Sequence, residues 1–189
     1  MKEVIQYYLN NSTDVYIILL DGSRAFDRVN YVKLFKLFIK RHLCSTVARF
    51  LANIYTSQCI RVNWDNFISN HLPVTNGVKQ GGVLSPILFI IYMDERLRTL
   101  SLCGVGCYVV NIYCGSFWYA DDVILLAPNL YSIKKLMCIC EAFAKEYDVI
   151  VNSQKSKLLV CRCRSSSHIN EQLNIGFMDG HIVKSGVTL

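Results

Sequence analysis

The sequence lacks long apolar runs, has few charged residues and opens without a signal peptide. Its longest apolar stretches, residues 15–20 and 87–93, fall far short of the ~18 residues that suggest a membrane span. The first residues mix polar and charged side chains, which excludes the apolar core of a secretion signal. Although only 18% of the residues are charged, 52% are hydrophobic, so a disordered or collagen-like chain is also excluded. We therefore expect a folded domain with no membrane segment.

The nine cysteines include no CxxC pair, and their two CxC spacings are unlike those of zinc knuckles. An odd number of thiols without a secretion signal favours reduced cysteines in an intracellular protein, which we place in the cytoplasm and nucleus. Twenty Lys and Arg residues against fourteen Asp and Glu give a net charge of +6, which permits a polyanionic partner without requiring one.

Several common catalytic patterns are missing. No GxxxxGK[ST] motif is present, and residues 104–106 lack the third glycine of a dinucleotide-binding turn. No Ser/His/Asp or Cys/His grouping stands out among the four histidines, so His42 and His71 are expected to be ordinary surface or core residues. Nucleotide hydrolysis on a P-loop and nucleophilic triad chemistry are thus disfavoured.

The pattern of apolar residues predicts one α+β domain over residues 1–189. No repeat or flexible linker interrupts the chain. Residues 15–20 form a β-branched-rich run typical of a strand buried on both faces. Two more apolar strands flank residues 120–122 and predict a tight hairpin, and short strands follow near 149–151 and 158–161. An antiparallel sheet with helices packed on one face accounts for this order.

Helical spacing predicts four helices and the faces that they bury. The helix from Ser85-Pro86 is apolar all round in its first half and should be deeply buried. A helix capped by Asn30 is predicted to bury Val32, Phe35, Phe38 and Ile39. A second helix, capped by Ser45, should bury Val47, Phe50, Leu51 and Ile54. A third, capped by Ser132, should bury Ile133, Leu136, Cys140, Phe143 and Tyr147.

Three aspartates form the most informative group. Asp21 ends the buried strand, and Asp121 and Asp122 occupy the hairpin turn. Each of them could instead serve only its turn. Because two unit charges 4 Å apart repel by roughly 4 kcal/mol at an effective dielectric near 20, three carboxylates at one sheet edge call for neutralising cations. Oxygen ligands select Mg²⁺ or Mn²⁺, and two such ions about 3.5–4 Å apart are the usual means of in-line phosphoryl transfer.

Three segments occur in order along the chain: LLDGSRAFDRV (19–29), NGVKQGGVLSPILF (76–89) and YADDVILLA (119–127). They resemble motifs A, B and C of reverse transcriptases, most closely those of animal non-LTR (LINE-type) retrotransposons. The resemblance spans roughly residues 15–160. It implies a reverse transcriptase palm with a YADD hairpin, and an RNA-directed DNA polymerase that takes an RNA template, a DNA primer and deoxynucleoside triphosphates with two Mg²⁺ (or Mn²⁺) ions.

The resemblance also implies roles for individual residues. The catalytic metal ligands would be Asp21, Asp121 and Asp122, and the aromatic steric gate beneath the incoming sugar would be Phe26. Backbone amides near the triphosphate, with one added charge, would come from Gly22, Ser23, Arg24 and Ala25.

Two further segments match motifs B and D. Gln80 and Gly81 would contact the nascent base pair and template, although this glycine pair could simply be the turn before the Ser85 helix. Asn152 and Lys155 match motif D, whose lysine could act as general acid; a plain surface lysine is an equal alternative.

The chain also departs from the family pattern. Only about twenty residues precede Asp21 and the sequence stops at Leu189. We therefore expect a palm truncated at both ends, with fingers and thumb largely absent and the remainder of a retrotransposon polyprotein, including an endonuclease, as its partner. Val110 and Trp118 stand where small residues, often glycine, are expected. Two alternatives stay open: a non-catalytic truncated relic with weak nucleic-acid binding, and a group II intron maturase-like reverse transcriptase.

Overall fold

The computed structural model describes residues 1–23, 26–119, 122–147, 149–152, 155–163, 175–176 and 182–183. Three predicted site residues, Arg24, Ala25 and Asp121, lie outside these ranges. The chain divides into two compact units, one made of residues 1–24 and 94–189 and the other of residues 25–93. That residues 1–189 form one domain stays a prediction.

Five α-helices and fourteen short strands make up the described part of the chain. The helices are α1 (Lys2–Asn10), α2 (Tyr31–Lys40), α3 (Ser45–Thr56), α4 (Ser85–Leu102) and α5 (Leu130–Glu146), with one 3-10 turn at Phe26–Arg28. The strands are β1 (Val15–Leu20), β2 (Gly22–Ser23), β3 (Cys59–Ile60), β4 (Asn63–Trp64), β5 (Phe67–Ile68), β6 (Leu72–Pro73), β7 (Tyr108–Val109), β8 (Ile112–Tyr113), β9 (Ser116–Tyr119), β10 (Asp122–Ala127), β11 (Ile150–Val151), β12 (Lys157–Cys161), β13 (Ile175–Gly176) and β14 (Ile182–Val183).

The first unit is built on a four-stranded antiparallel sheet in the order β12-β1-β10-β9. Strand β1 lies inside the sheet, with four of its six residues buried and the other two partly buried, as its unbroken apolar sequence predicts. Strands β9 and β10 form the hairpin expected around the YADD segment, with Tyr119 paired to Asp122. The predicted α+β fold with an antiparallel sheet is therefore confirmed.

Both faces of this sheet are covered. Alternate residues of β1, β10 and β12 pack with α5 and with Leu100 from the end of α4 into one core. The residues between them, Val15 and Ile17 among others, pack against α1 and the β7–β8 hairpin. The prediction of helices on one face is correct for α5 but omits α1. A strand that is apolar at every position needs cover on its second face as well.

Helix α5 follows its predicted pattern. All five residues expected to face the core are buried: Ile133, Leu136, Cys140, Phe143 and Tyr147. The cap is Asn129 rather than Ser132, because the Asn129 side chain accepts a hydrogen bond from the Ser132 backbone N–H at 2.8 Å. Ser132 lies buried within the first turn.

The helices of the second unit depart further from prediction. Asn30 caps α2 as expected, since its Oδ1 accepts from the Lys33 N–H at 3.1 Å. The buried residues of α2, however, are Tyr31, Leu34, Leu37 and Phe38, whereas Val32 and Ile39 are exposed. Helix α3 buries Leu51 and Tyr55, leaves Val47, Phe50 and Ile54 exposed, and starts after Cys44 without a side-chain cap bond.

Helix α4 begins at Ser85 as predicted. The Ser85 hydroxyl does not cap the helix; it donates to the Lys79 carbonyl at 2.6 Å. Tyr92 and Phe89 are buried, but Ile87 and Ile90 are exposed, so the first half is not buried all round. No described helix combines the length and the apolar character that crossing a membrane requires.

Candidate active site

Two predicted metal ligands meet at one end of the central sheet. Strands β1 and β10 pair up to Leu20 opposite Val123. One residue beyond that pair, the antiparallel register sets Asp21 opposite Asp122, and opposed residues have Cα atoms about 4.5–5.5 Å apart. Two aspartates a hundred positions apart in sequence thus stand at the same end of neighbouring strands.

Lys155 lies on the other side of Asp21. Strands β1 and β12 pair up to Leu19 opposite Lys157, and Lys155 lies in the turn that leads into β12. The Lys155 Nζ is 3.7 Å from the Asp21 Oδ2. Asp21 therefore stands between a carboxylate on one neighbouring strand and an ammonium group from the other.

The turn that carries Lys155 is fastened to Asp21 through Asn152. The Asn152 N–H donates to the Asp21 carbonyl at 2.8 Å, and the Asn152 Oδ1 accepts from the Lys155 N–H at 3.3 Å. Buried Ser156 closes the turn, since its hydroxyl donates to the Asn152 carbonyl at 2.8 Å. Motif D is thus hydrogen-bonded directly to motif A at Asp21.

The ion pair itself stabilises the fold little. The Lys155 side chain is 68% exposed and that of Asp21 31% exposed, so solvent screens their attraction, and pairs of this kind contribute about 0–1 kcal/mol. What the pair provides is a cation positioned beside the carboxylate.

Solvent-accessible carboxylate oxygens are the donors that Mg²⁺ and Mn²⁺ prefer, so Asp21 and Asp122 fit such an ion chemically. Within the described ranges, no three His, Cys, Asp or Glu side chains lie close enough together to hold a metal. Asp121, the third predicted ligand, falls outside those ranges.

Gly22 and Ser23 continue directly from Asp21 as strand β2. They pair with β11, Ser23 opposite Ile150 and Gly22 opposite Val151. One edge of this short backbone segment is therefore occupied by β11.

The predicted gate residue lies in the second unit. Phe26 opens the 3-10 turn and is partly buried, and its ring stacks on the buried Phe89 of α4 with centroids 4.4 Å apart and planes 14° from parallel. Such a pair contributes about 0.5–1.5 kcal/mol beyond its buried area and holds the ring orientation.

Gln80 and Gly81 form the centre of a tight turn in the same unit. The Gly82 N–H donates to the Lys79 carbonyl at 2.9 Å, and Gly81 has φ +78°, the conformation that the third position of a type II turn requires. Gly81 is thus needed by the turn itself, as one of the two predicted interpretations has it. Gln80 is exposed at its corner.

The strand leading to this turn is tied to the end of motif A. The Val78 N–H donates to the Phe26 carbonyl and the Gly77 N–H to the Val29 carbonyl, each at 2.8 Å. A Cβ on Gly77 would lie 2.8 Å from the Asp27 carbonyl oxygen, so only glycine fits there.

Val110 and Trp118 stand at the two positions where small residues are expected. Val110 is 80% exposed at the β7–β8 turn with φ +57°, a backbone region that favours glycine and strains β-branched residues. The Trp118 ring packs against the core that α5 covers.

One cluster of side chains was not predicted from the sequence. His71, expected to be ordinary, contacts Cys59 twelve residues away, with Nδ1 and Sγ 3.2 Å apart. The pairing of β3 with β6 brings the two residues together, and neither spacing nor motif signals it.

An antiparallel sheet with two carboxylates at neighbouring strand ends is the arrangement of a polymerase palm. Comparison with known proteins agrees. The family model for reverse transcriptase (RNA-dependent DNA polymerase) matches residues 2–179, and the chain belongs to this family.

The related proteins include retrotransposon polyproteins. The chain is 30% identical over 134 residues to the Retrovirus-related Pol polyprotein from type-2 retrotransposable element R2DM of Drosophila melanogaster, covering 71% of this chain and 13% of that protein. It is 25% identical over 164 residues to the Transposon TX1 uncharacterized 149 kDa protein of Xenopus laevis, covering 85% of this chain and 12% of that protein. The chain thus spans about an eighth of the length of these relatives.

A solved structure shares the fold. Apo telomerase from Candida tropicalis, truncated from its C-terminal domain, superposes with a TM-score of 0.65 over 94% of this chain and 36% of that chain, at 15% identity.

Proposed function

We propose that this chain is the palm of an RNA-directed DNA polymerase in a non-LTR retrotransposon polyprotein. The observation that carries the proposal is the end of the β1–β10 pairing, where Asp21 follows the last residue of β1 and Asp122 opens β10, with the Lys155 Nζ 3.7 Å from the Asp21 Oδ2. The same relatives favour a retrotransposon enzyme over a group II intron maturase.

Asp21, Asp121 and Asp122 would hold two Mg²⁺ or Mn²⁺ ions. When bound, such ions activate the primer 3′ hydroxyl and stabilise the leaving pyrophosphate. The chain's own contribution is to fix carboxylates on adjacent strands of a rigid sheet, where they need not reorganise during the reaction.

Lys155 would donate a proton to the leaving pyrophosphate. Its ammonium group is open to solvent and 3.7 Å from Asp21, and its backbone N–H is bonded to Asn152. A held backbone with a largely exposed ammonium group suits a general acid that must reach a substrate.

The nucleotide would lie along motif A. Backbone N–H groups of Gly22, Ser23, Arg24 and Ala25, with the Arg24 charge, would bind the triphosphate, and the Phe26 ring held by Phe89 would press against the sugar C2′. Gln80 and Gly81 would contact the new base pair and the template.

The partners in this proposal are an RNA template, a DNA primer, deoxynucleoside triphosphates and the rest of the polyprotein, including fingers, thumb and endonuclease. An intracellular location, in the cytoplasm and nucleus, belongs to the same proposal because these substrates are found there.

The test is primer extension on an RNA template with Mg²⁺ or Mn²⁺, run on the 189-residue chain and on the complete polypeptide whose reading frame contains it. We expect extension that Asp21→Asn and Asp122→Asn each reduce at least 10³-fold, while the matched exposed change Asp65→Asn leaves it intact. Salt-sensitive nucleic-acid binding without extension by either polypeptide would support the relic instead.

A further inference from the structure

Three side chains of the second unit form a second reactive cluster, separate from the aspartates. Cys59 opens strand β3, Arg61 follows it, and His71 stands on the facing segment beside β6. The His71 Nδ1 lies 3.2 Å from the Cys59 Sγ, and the His71 Nε2 contacts the Arg61 guanidinium.

The contact with Arg61 determines which ring nitrogen of His71 carries the proton. A guanidinium only donates hydrogen bonds, so the His71 Nε2 must accept from Arg61. The ring proton of the neutral imidazole then sits on Nδ1, which faces the sulfur. His71 therefore directs its Nδ1–H toward the Cys59 sulfur, where it can stabilise the negative charge that a sulfur nucleophile carries as it attacks.

The sulfur also borders a cavity. A groove of about 440 Å³ is lined by Cys59, Gln58 and Ile60 on one side and by residues 76–79 with Asp27 on the other. Its size suits a small ligand. Asp27 and Lys79 are the two charged residues that line it.

We propose that Cys59, activated by His71 and Arg61, is a nucleophilic thiol that captures soft electrophiles entering this groove. With iodoacetamide as the probe, the thiol proton goes to solvent, the thiolate sulfur bonds to the methylene carbon, and the carbon–iodine bond breaks to release iodide. An adduct would occupy the groove beside Gly77 and Val78, the segment that leads into the Gln80–Gly81 turn.

The chain offers internal controls. All nine cysteines are thiols outside any disulfide, and three are exposed: Cys44, Cys59 and Cys138. Hydrogen bonds from the Thr46 and Val47 backbone lower the pKa of the Cys44 thiol, so Cys44 reports whether the second unit is folded. Cys138 reports the rate of an exposed thiol without such partners.

The experiment measures alkylation of each cysteine by limiting iodoacetamide at neutral pH, using mass spectrometry of the digested chain. We expect Cys59 to react at least tenfold faster than Cys138. His71→Asn should bring Cys59 down to the Cys138 rate and leave Cys44 unchanged. Equal rates for Cys59 and Cys138 in the unaltered chain would overturn the proposal, as would a Cys59 rate that His71→Asn does not change while Cys44 still reacts as before. Neither outcome depends on polymerase activity.

Discussion

Replacing Asp122 with Asn should stabilise the metal-free chain and remove its response to magnesium. Continued by one residue, the β1–β10 register sets Asp21 opposite Asp122, and opposed residues of an antiparallel pair lie about 5 Å apart. Asp122 is exposed, and Lys155 already offsets part of the Asp21 charge. Taking a nearly water-like dielectric, the repulsion removed is about 0.5–1 kcal/mol.

Magnesium should reverse the order of stability. An ion that binds only the folded chain with a Kd of about 1 mM adds about 1.4 kcal/mol at 10 mM. Asp122→Asn loses a ligand and therefore most of that gain. The variant should be more stable than the unaltered chain in EDTA and less stable in 10 mM Mg²⁺.

Thermal unfolding, monitored by circular dichroism, tests this reversal in the order of stability. For a chain of this length 1 kcal/mol corresponds to about 2–4 °C in Tm, so the expected differences are measurable. Asp65→Asn is the matched control, because Asp65 is an exposed turn residue with φ +42°, a conformation that Asn also tolerates. If Asp122→Asn destabilises the chain in EDTA, Asp122 is a structural turn residue and the site argument fails.

Three more perturbations test other features. Phe26→Val should lower discrimination against ribonucleotides about 10- to 100-fold in primer extension, because the remaining pocket rejects a hydroxyl only weakly; Phe50→Val on exposed α3 is the control, and unchanged selectivity removes the gate assignment. Val110→Gly should raise the free energy of unfolding by about 0.5–1 kcal/mol in urea, because it relieves φ +57° at an exposed site; a loss of stability there would contradict the strain. Burial raises the pKa of Cys107 to about 12, so the unfolded thiol ionises first and stability falls above about pH 9, by up to about 1.4 kcal/mol per pH unit. Between pH 8 and 10.5, Cys107→Ala should reduce this loss of unfolding free energy, whereas Cys138→Ala should not. If the unaltered chain and both variants lose stability equally with pH, Cys107 is not the group responsible.

The sheet could be predicted from sequence because its strands are short, apolar and bounded by polar residues. Strand β1 and the hairpin strands β9 and β10 lie where the apolar runs indicate. Helix α5 was equally predictable, since its apolar residues recur on one stripe and Lys134, Lys135 and Lys145 lie off it.

The faces of α2 were not predictable in the same way. Its sequence, YVKLFKLFIK, is apolar at seven of ten positions, so the apolar arc is wider than the stripe that becomes buried. Tertiary contacts decide the rotation: the Tyr31 hydroxyl donates to the Gly77 carbonyl at 2.8 Å and draws Tyr31 inward. Val32, its neighbour, is consequently left in solvent.

The candidate site, too, could be predicted from the sequence only in part. Motif resemblance identified Asp21, Asp122 and Lys155 individually, but the Asp21–Lys155 contact depends on the pairing of β1 with β12. The Cys59–His71 contact has no motif at all and follows from a strand pairing of two residues on each side. Contacts across strands become visible only once register is known.

The carboxylates also explain why this register is unique. Because β1 is apolar on both faces, sliding it by one residue would exchange one buried apolar side chain for another and cost little by itself. Asp14 and Asp21, however, stand immediately before and after the strand. A slip in one direction would move Asp21 into the place of Leu20, which is 3% exposed, and a slip in the other would move Asp14 into the place of Val15, which is fully buried. Either move buries a charge at a cost of several kcal/mol. The residue proposed to bind metal thus also locks the strand pairing that brings Asp122 and Lys155 beside it.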